Sequence, residues 1–198
     1  MRDYDRIAAA IGAALKLEGG VGAPGFAGDS RERERRMAIV VAAAWSALRE
    51  QGVSWLGFYV AEERAMDPTQ PIAEPAAGSP GGPDRLILSA CAPRPACSPI
   101  GTHGVCGQAL LGRTARIVRD VSDLGPDYIA CDPRDRSEVV VPLFDEEGRA
   151  WAVLDLDSHD LGAFDDSDAA GLHRVLAAAG LTARCESGET PAQAPATG

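Results

Sequence analysis

The chain has 198 residues, 45% of them hydrophobic and 24% charged, with a formal net charge of -10. That length and balance fit one ordinary globular core. The acidic charge argues against a nucleic-acid surface, which needs clustered Lys and Arg, and against an anionic membrane face; no apolar stretch is long enough to span a bilayer. Aromatics are only 5%, so Val, Leu, Ile and Ala must fill the core.

Along the chain, Met1 to Leu17 predicts a helix with Ile7, Ile11 and Leu15 on one face. Its early Arg and Asp residues do not suit a secretory leader, which sets the expectation of a cytoplasmic protein. Gly19 to Gly28 is a break. Ser30 is the predicted cap of a second helix, with an apolar stripe of Met37, Val41, Ala44, Trp45 and Leu48, ended by Gly52. A strand follows over Val53 to Val60. Trp55, Gly57 and Tyr59 share one face; Leu56, Phe58 and Val60 share the other. Asp67 to Asp84 reads as a long Pro- and Gly-rich loop between strands, and Arg85 to Ala90 as the next strand. Cys91 to Gly107 is irregular, Gln108 to Leu111 a short helix, Arg116 to Val121 a strand, and Ser122 to Arg136 a loop. A hairpin pairs Ser137 to Phe144 with Trp151 to Asp157. The last helix starts near Asp165 to Asp168 and buries Leu172, Val175, Leu176 and Ala179. Residues 1–185 are expected to form one domain, with a disordered tail over 186–198. Helices at the ends and strands between them give an α+β plan, a mostly antiparallel sheet covered by helices.

The hairpin concentrates charge. Alternation along Trp151-Ala152-Val153-Leu154-Asp155-Leu156-Asp157 puts both aspartates on one face. A turn near Glu146 and Glu147 places Glu138 opposite Asp155 or Asp157, so three carboxylates crowd together. Such crowding raises at least one pKa, and a carboxyl kept protonated can act as a general acid. The bland alternative is a hydrated strand end with all three ionised.

The five cysteines are Cys91, Cys97, Cys106, Cys131 and Cys185. An odd count argues against a structural disulfide framework. The spacings, Cys91-x5-Cys97, Cys97-x8-Cys106 and Cys106-x24-Cys131, contain no C-x2-C, so zinc is a weak alternative even with His103 near Cys106. Cys91 and Cys185 suit the role of small buried hydrophobes. Cys97, Cys106 and Cys131 lie in Gly- and Pro-bounded loops, where chemistry is more common. Sulfoxide reduction would use both clusters: a thiolate attacks sulfur, an acid protonates the oxygen, and the resulting sulfenic acid condenses with a second thiol.

At these residues the sequence resembles the free methionine-(R)-sulfoxide reductase family, a GAF-domain family. The matching stretches are Trp55-Leu56-Gly57-Phe58-Tyr59, Pro95-Ala96-Cys97, Gly104-Val105-Cys106-Gly107, Ile129-Ala130-Cys131-Asp132, Ser137-Glu138-Val139-Val140-Val141-Pro142 and Val153-Leu154-Asp155-Leu156-Asp157-Ser158. The resemblance implies a six-stranded GAF sheet with packed helices, and reduction of free methionine-(R)-sulfoxide with no bound cofactor and thioredoxin as external reductant. It implies Cys131 as nucleophile and Cys97 as resolving thiol, with Cys106 a third family cysteine able to exchange roles with Cys131. Glu138 and Asp157 would protonate the sulfoxide oxygen. Asp155, with Asp120, would hold the substrate ammonium, and Trp55 and Tyr59 would wall the pocket. A homodimer through the N-terminal helices is a further expectation.

The chain departs from the family pattern in places. Ser89-Ala90-Cys91-Ala92-Pro93 stands where a Gly-Pro-Phe-Gln-Gly run is usual, and Tyr128 where His is usual. Cys91 is thereby a candidate extra resolving thiol. The competing reading is a non-catalytic GAF module that binds a small ligand or senses oxidants.

Overall fold

The computed structural model of the chain describes residues 2–17, 25–62, 83–125 and 131–183. The expected tail, the Pro-rich loop up to 82, Tyr128 and Cys185 lie outside the described residues. The elements run α1 (Tyr4–Leu17), α2 (Ser30–Leu48), β1 (Trp55–Ala61), β2 (Arg85–Ala92), β3 (Ile100–Gly101), α3 (Val105–Gly112), β4 (Arg116–Val118), β5 (Ser137–Phe144), β6 (Ala150–Ser158) and α4 (Asp166–Ala178). The strands form one sheet in the order β3-β2-β1-β6-β5-β4, and every pair is antiparallel.

Alternation along the central strands divides the molecule into two layers. Leu56 and Phe58 of β1, Val139, Val141 and Leu143 of β5, and Ala152, Leu154 and Leu156 of β6 face one side. There they meet Ile7 and Ile11 of α1, Met37 and Val40 of α2, and Leu172, Val175 and Leu176 of α4. Burying each Leu, Ile, Val or Phe contributes about 1.5–3 kcal/mol, so this face anchors the sheet. The opposite face carries Trp55, Tyr59, Val140 and Val153, which pack with Val105, Cys106, Ala109 and Leu110 of α3. Among the described residues only the short α3 and loops cover that side.

The helix ends are fixed by side chains. Asp29, one residue before the expected Ser30, caps α2 by accepting the Glu32 N–H; a carboxylate there also complements the helix dipole. In the α2 stripe Val40 is buried and Trp45 only half so. A 3₁₀ turn over Arg49–Gln51 carries the chain to Gly52, whose φ of +88° needs glycine. Asp165 and Asp168 form a reciprocal capping box on α4. Asp168 also accepts the Tyr4 hydroxyl at 2.8 Å and pairs with Arg2 at 3.0 Å, tying α1 to α4.

Three expected boundaries move. The strand from Arg85 continues to Ala92, so Cys91 sits in β2 rather than in the irregular segment. The helix expected over Gln108 to Leu111 begins at Val105 and takes in Cys106. The strand from Arg116 stops at Val118, because the chain turns into a 3₁₀ helix over Val121–Leu124 capped by Asp120. The two-residue β3 went unforeseen. Among the described residues no helix is long and apolar enough to cross a membrane.

Candidate active site

The hairpin register resolves the choice left by the sequence. Glu138 pairs with Asp157, and Val140 with Asp155. On the other side of β6, Asp157 pairs with Trp55 and Asp155 with Gly57. Glu138, Asp155, Asp157, Trp55 and Tyr59 therefore share the face that α3 covers. Glu138 and Asp155 are buried, at 4% and 8% exposure, so the hydrated-strand-end alternative fails for both. Burial, with the Glu138 charge beside it, pushes the Asp155 carboxyl well above the usual carboxylate range. Burial, with Asp155 and Glu138 as neighbours, does the same to Asp157. A carboxyl that keeps its proton near neutral pH is a general acid in waiting.

Three thiols converge on this face from different elements. Cys106, in the first turn of α3, is buried and donates its S–H to Asp155 Oδ2 at 3.3 Å. Burial and the Asp155 charge raise its pKa strongly. Gly107 explains the flanking glycine of this motif: a Cβ there would lie 2.2 Å from the Thr102 backbone. Cys97 and Cys131 are both exposed, and both are free thiols. Cys97 is the neighbour that acts most on the Cys131 thiol: its own thiol raises the Cys131 pKa and its backbone N–H lowers it. Loss of water on its inner side, the Cys97 thiol and the Asp155 charge leave Cys131 pushed up to about 12. A fourth thiol, Cys91, lies in β2 opposite Gly57 on the same face, donating to the Arg94 carbonyl at 3.6 Å.

The two aromatics do more than line a wall. Trp55 Nε1 donates to the Arg94 carbonyl at 2.8 Å, and the Tyr59 hydroxyl donates to the Cys97 carbonyl at 2.8 Å. Both side chains thus hold the loop that carries Cys97. Their ring centroids are 6.1 Å apart. The Trp55 indole lies across Gly57, where a Cβ would come within 2.4 Å of the ring. Burial and the nearby Asp155 raise the Tyr59 pKa above its ordinary value, so it stays a donor.

Asp120 follows β4 by two residues. It caps the 3₁₀ turn, accepting the Ser122 N–H at 3.0 Å. That bond and the Arg136 charge lower its pKa. A second cluster escaped the sequence reading. Asp132 pairs with Arg94 and, at 2.7 Å, with Arg134. His159 Nε2 lies 3.5 Å from Asp135 and 4.0 Å from Asp132. The ligand atoms of Asp132, Asp135 and His159 come within 4.8 Å of one another. Two guanidiniums already engage Asp132, and Ser54 Oγ donates to Asp135 at 3.0 Å, so the cluster is satisfied by the protein itself. The run Asp132-Pro133-Arg134-Asp135-Arg136 was its visible signal.

The family model for the GAF domain matches residues 30–182. The structure of a free methionine-R-sulfoxide reductase from Neisseria meningitidis, in complex with its substrate, superposes with a TM-score of 0.66 at 30% identity, covering 89% of this chain and 86% of that one. The chain belongs to the GAF-domain family of free methionine-R-sulfoxide reductases. This GAF domain is also 34% identical to the free methionine-R-sulfoxide reductase of Saccharomyces cerevisiae, over 66% of this chain and 64% of that protein's length. It is 32% identical to GAF domain-containing protein A of Dictyostelium discoideum, over 66% of this chain and 71% of that protein.

Proposed function

We propose that the chain reduces free methionine-(R)-sulfoxide to methionine. The observation that carries this reading is the nearness of the Cys97 and Cys131 thiols, close enough for Cys97 to shift the Cys131 titration, to a group of carboxyls with raised pKa. Cys131 sulfur attacks the sulfoxide sulfur. Asp157, with Glu138, delivers a proton to the sulfoxide oxygen. Oxygen passes to Cys131, which becomes a sulfenic acid, and methionine leaves. The Cys97 thiol then attacks the sulfenic sulfur, forming the disulfide and releasing water. An external dithiol of the thioredoxin type returns both thiols by exchange. No bound cofactor is needed, because the electrons come from the two thiols.

The resting protonation fits this sequence of steps. A thiol raised to about 12 and carboxyls that retain their protons start the reaction uncharged. The acid gives its proton to the sulfoxide oxygen and takes up the one that the Cys131 thiol releases, so the sulfenic acid forms with no charge left behind. Asp155 Oδ1 is buried with no hydrogen-bond partner among the described residues. It is placed to accept the substrate ammonium group, which would supply the missing donor.

The test is NADPH consumption by the purified protein with thioredoxin, thioredoxin reductase and free methionine-(R)-sulfoxide, with the (S) epimer and Cys131→Ser as controls. Sustained consumption with the (R) form alone, lost in the variant, is expected. A folded, reduced protein that turns over neither epimer would leave a ligand-binding or redox-sensing GAF module as the better account.

A further inference from the structure

The two reacting thiols sit on loops joined to β2 and β5, strands that flank the central β1–β6 pair. Cys97 follows β2, and Cys131 precedes β5. Disulfide closure demands a narrow geometry, with Cβ atoms about 3.5–4.5 Å apart. A loop-borne pair needs something to set that spacing. Cross-links of the Cys97 loop to the sheet come from Trp55 and Tyr59, and from Ser98, whose hydroxyl accepts the Leu88 N–H at 3.0 Å. None of these reaches the Cys131 loop.

One ion pair does. The Arg94 guanidinium engages Asp132 Oδ2, joining a residue three before Cys97 to the residue after Cys131. Both ends are anchored independently. The Arg94 carbonyl is held by Trp55 Nε1, and Pro93 and Pro95 restrict the backbone on either side. Asp132 Oδ1 accepts the Arg134 N–H and Nε, each at 3.0 Å, and Oδ2 accepts Arg134 Nη2 at 2.7 Å. Asp132 is 11% exposed and Arg94 51%. The carboxylate is thus a fixed, largely dehydrated post, and the arginine reaches it from the neighbouring loop.

We infer that the Arg94–Asp132 pair is a clamp that holds the Cys97 and Cys131 loops in register for disulfide closure, making both positioning residues. The step it governs is Cys131–SOH plus Cys97–SH giving the Cys131–Cys97 disulfide plus water. The inference rests on the thiol roles given above, but its test does not require sulfoxide turnover.

The reduced protein, with Arg94→Ala, Arg94→Lys, Asp132→Asn and the Arg94→Ala/Asp132→Asn double variant, is equilibrated in mixtures of reduced and oxidised glutathione. The fraction of Cys97–Cys131 disulfide is read by alkylation and peptide mass spectrometry. The clamp predicts that Arg94→Ala and Asp132→Asn each weaken the disulfide about tenfold against glutathione, which for a two-electron couple is about 30 mV. The double variant should lose no more than either single one. Arg94→Lys should recover most of the loss, and the thermal midpoint of the reduced proteins should hardly move. An unchanged glutathione equilibrium in both single variants would overturn the clamp, as would additive losses in the double variant. So would formation of a different cysteine pair in the unmutated protein. A protein that forms this disulfide but never turns over sulfoxide would refute the proposed function and leave the clamp standing.

Discussion

The Cys106 thiol donates to Asp155 Oδ2 at 3.3 Å, while Asp155 Oδ1, equally enclosed, has no partner among the described residues. One oxygen of the carboxyl is fixed by the protein and the other is not. This asymmetry orients Asp155 and makes it costly, since an unsatisfied buried polar atom costs about 1–3 kcal/mol.

That cost should show in the pH dependence of stability. The Asp155 and Asp157 pKa values are raised by burial and by each other's neighbourhood. The native state therefore keeps protons that the unfolded chain releases above about pH 4. The stability these groups contribute is fully present below that pH and is lost as pH rises towards the elevated native values. Asp155→Asn removes the titrating group while keeping the shape and an acceptor for Cys106. It should stabilise the protein at pH 7.5 by about 0.5–2 kcal/mol, as relief of functional sites commonly does, and abolish turnover. Thermal unfolding at pH 5 and pH 7.5 checks this. Groups with lowered pKa, such as Glu32 beside Arg35 and Arg36 at about 2, slope the other way but cancel between variant and parent. Parallel pH curves for the two proteins would refute the assignment.

Cys131 should be a slow thiol until substrate arrives. With its pKa pushed up to about 12, little thiolate exists at pH 7. The higher nucleophilicity of a more basic sulfur recovers only part of the loss. Iodoacetamide should alkylate Cys131 roughly 30- to 100-fold more slowly than free cysteine. Cys97→Ala removes a thiol that raises this pKa while keeping the backbone N–H that lowers it, so Cys131 should react faster in that variant. Residue-resolved mass spectrometry reads both rates. Rapid labelling of Cys131 at pH 7 in the parent would contradict the resting state described above.

The parts of this site written in local pattern were legible in the sequence, and those made by long-range contacts were not. Alternation put Asp155 and Asp157 on one face, and the turn length narrowed the partner of Glu138 to two positions, because period-two geometry and hairpin register are local properties. The stripes of α1 and α4 were legible for the same reason. The start of α3 was hidden by Gly104 and Gly107, which read as breakers. Gly107 is required instead by the closeness of the Thr102 backbone, a contact that no propensity encodes. The two residues of β3 carry no period. The Arg94–Asp132 pair joins positions 38 apart in the chain, and nothing in either neighbourhood marks them as partners. The cap that Asp120 gives its own 3₁₀ turn was equally unmarked in the sequence.

Gly57 is expected to be intolerant of even one methyl group. A Cβ there would lie 2.4 Å from Trp55 Cη2 and 2.8 Å from Cys91 Cβ, so the indole or the strand must shift. Overpacking of this kind costs about 1–3 kcal/mol. Displacing the indole also breaks its bond to the Arg94 carbonyl. Gly57→Ala should therefore lower the thermal midpoint and change the Trp fluorescence maximum. A variant with the parent's midpoint and emission would show that the strand has slack there.

Tyr59→Phe separates loop anchoring from pocket shape. The ring stays, packed beside Trp55, but the hydroxyl that donates to the Cys97 carbonyl at 2.8 Å is gone. Loss of one such bond should cost about 0.5–1.5 kcal/mol in stability. Because Tyr59 holds the resolving loop and not the attacking thiol, the first half of the reaction should survive. In a single turnover without reductant, the variant should release one methionine per chain as fast as the parent. The Cys131 sulfenic acid should then persist several-fold longer before Cys97 closes on it, so that a dimedone-type probe traps more of it. Equal trapping in parent and variant would mean that the hydroxyl merely fills its place in the core. A loss of methionine release itself would move Tyr59 from the resolving step to substrate binding.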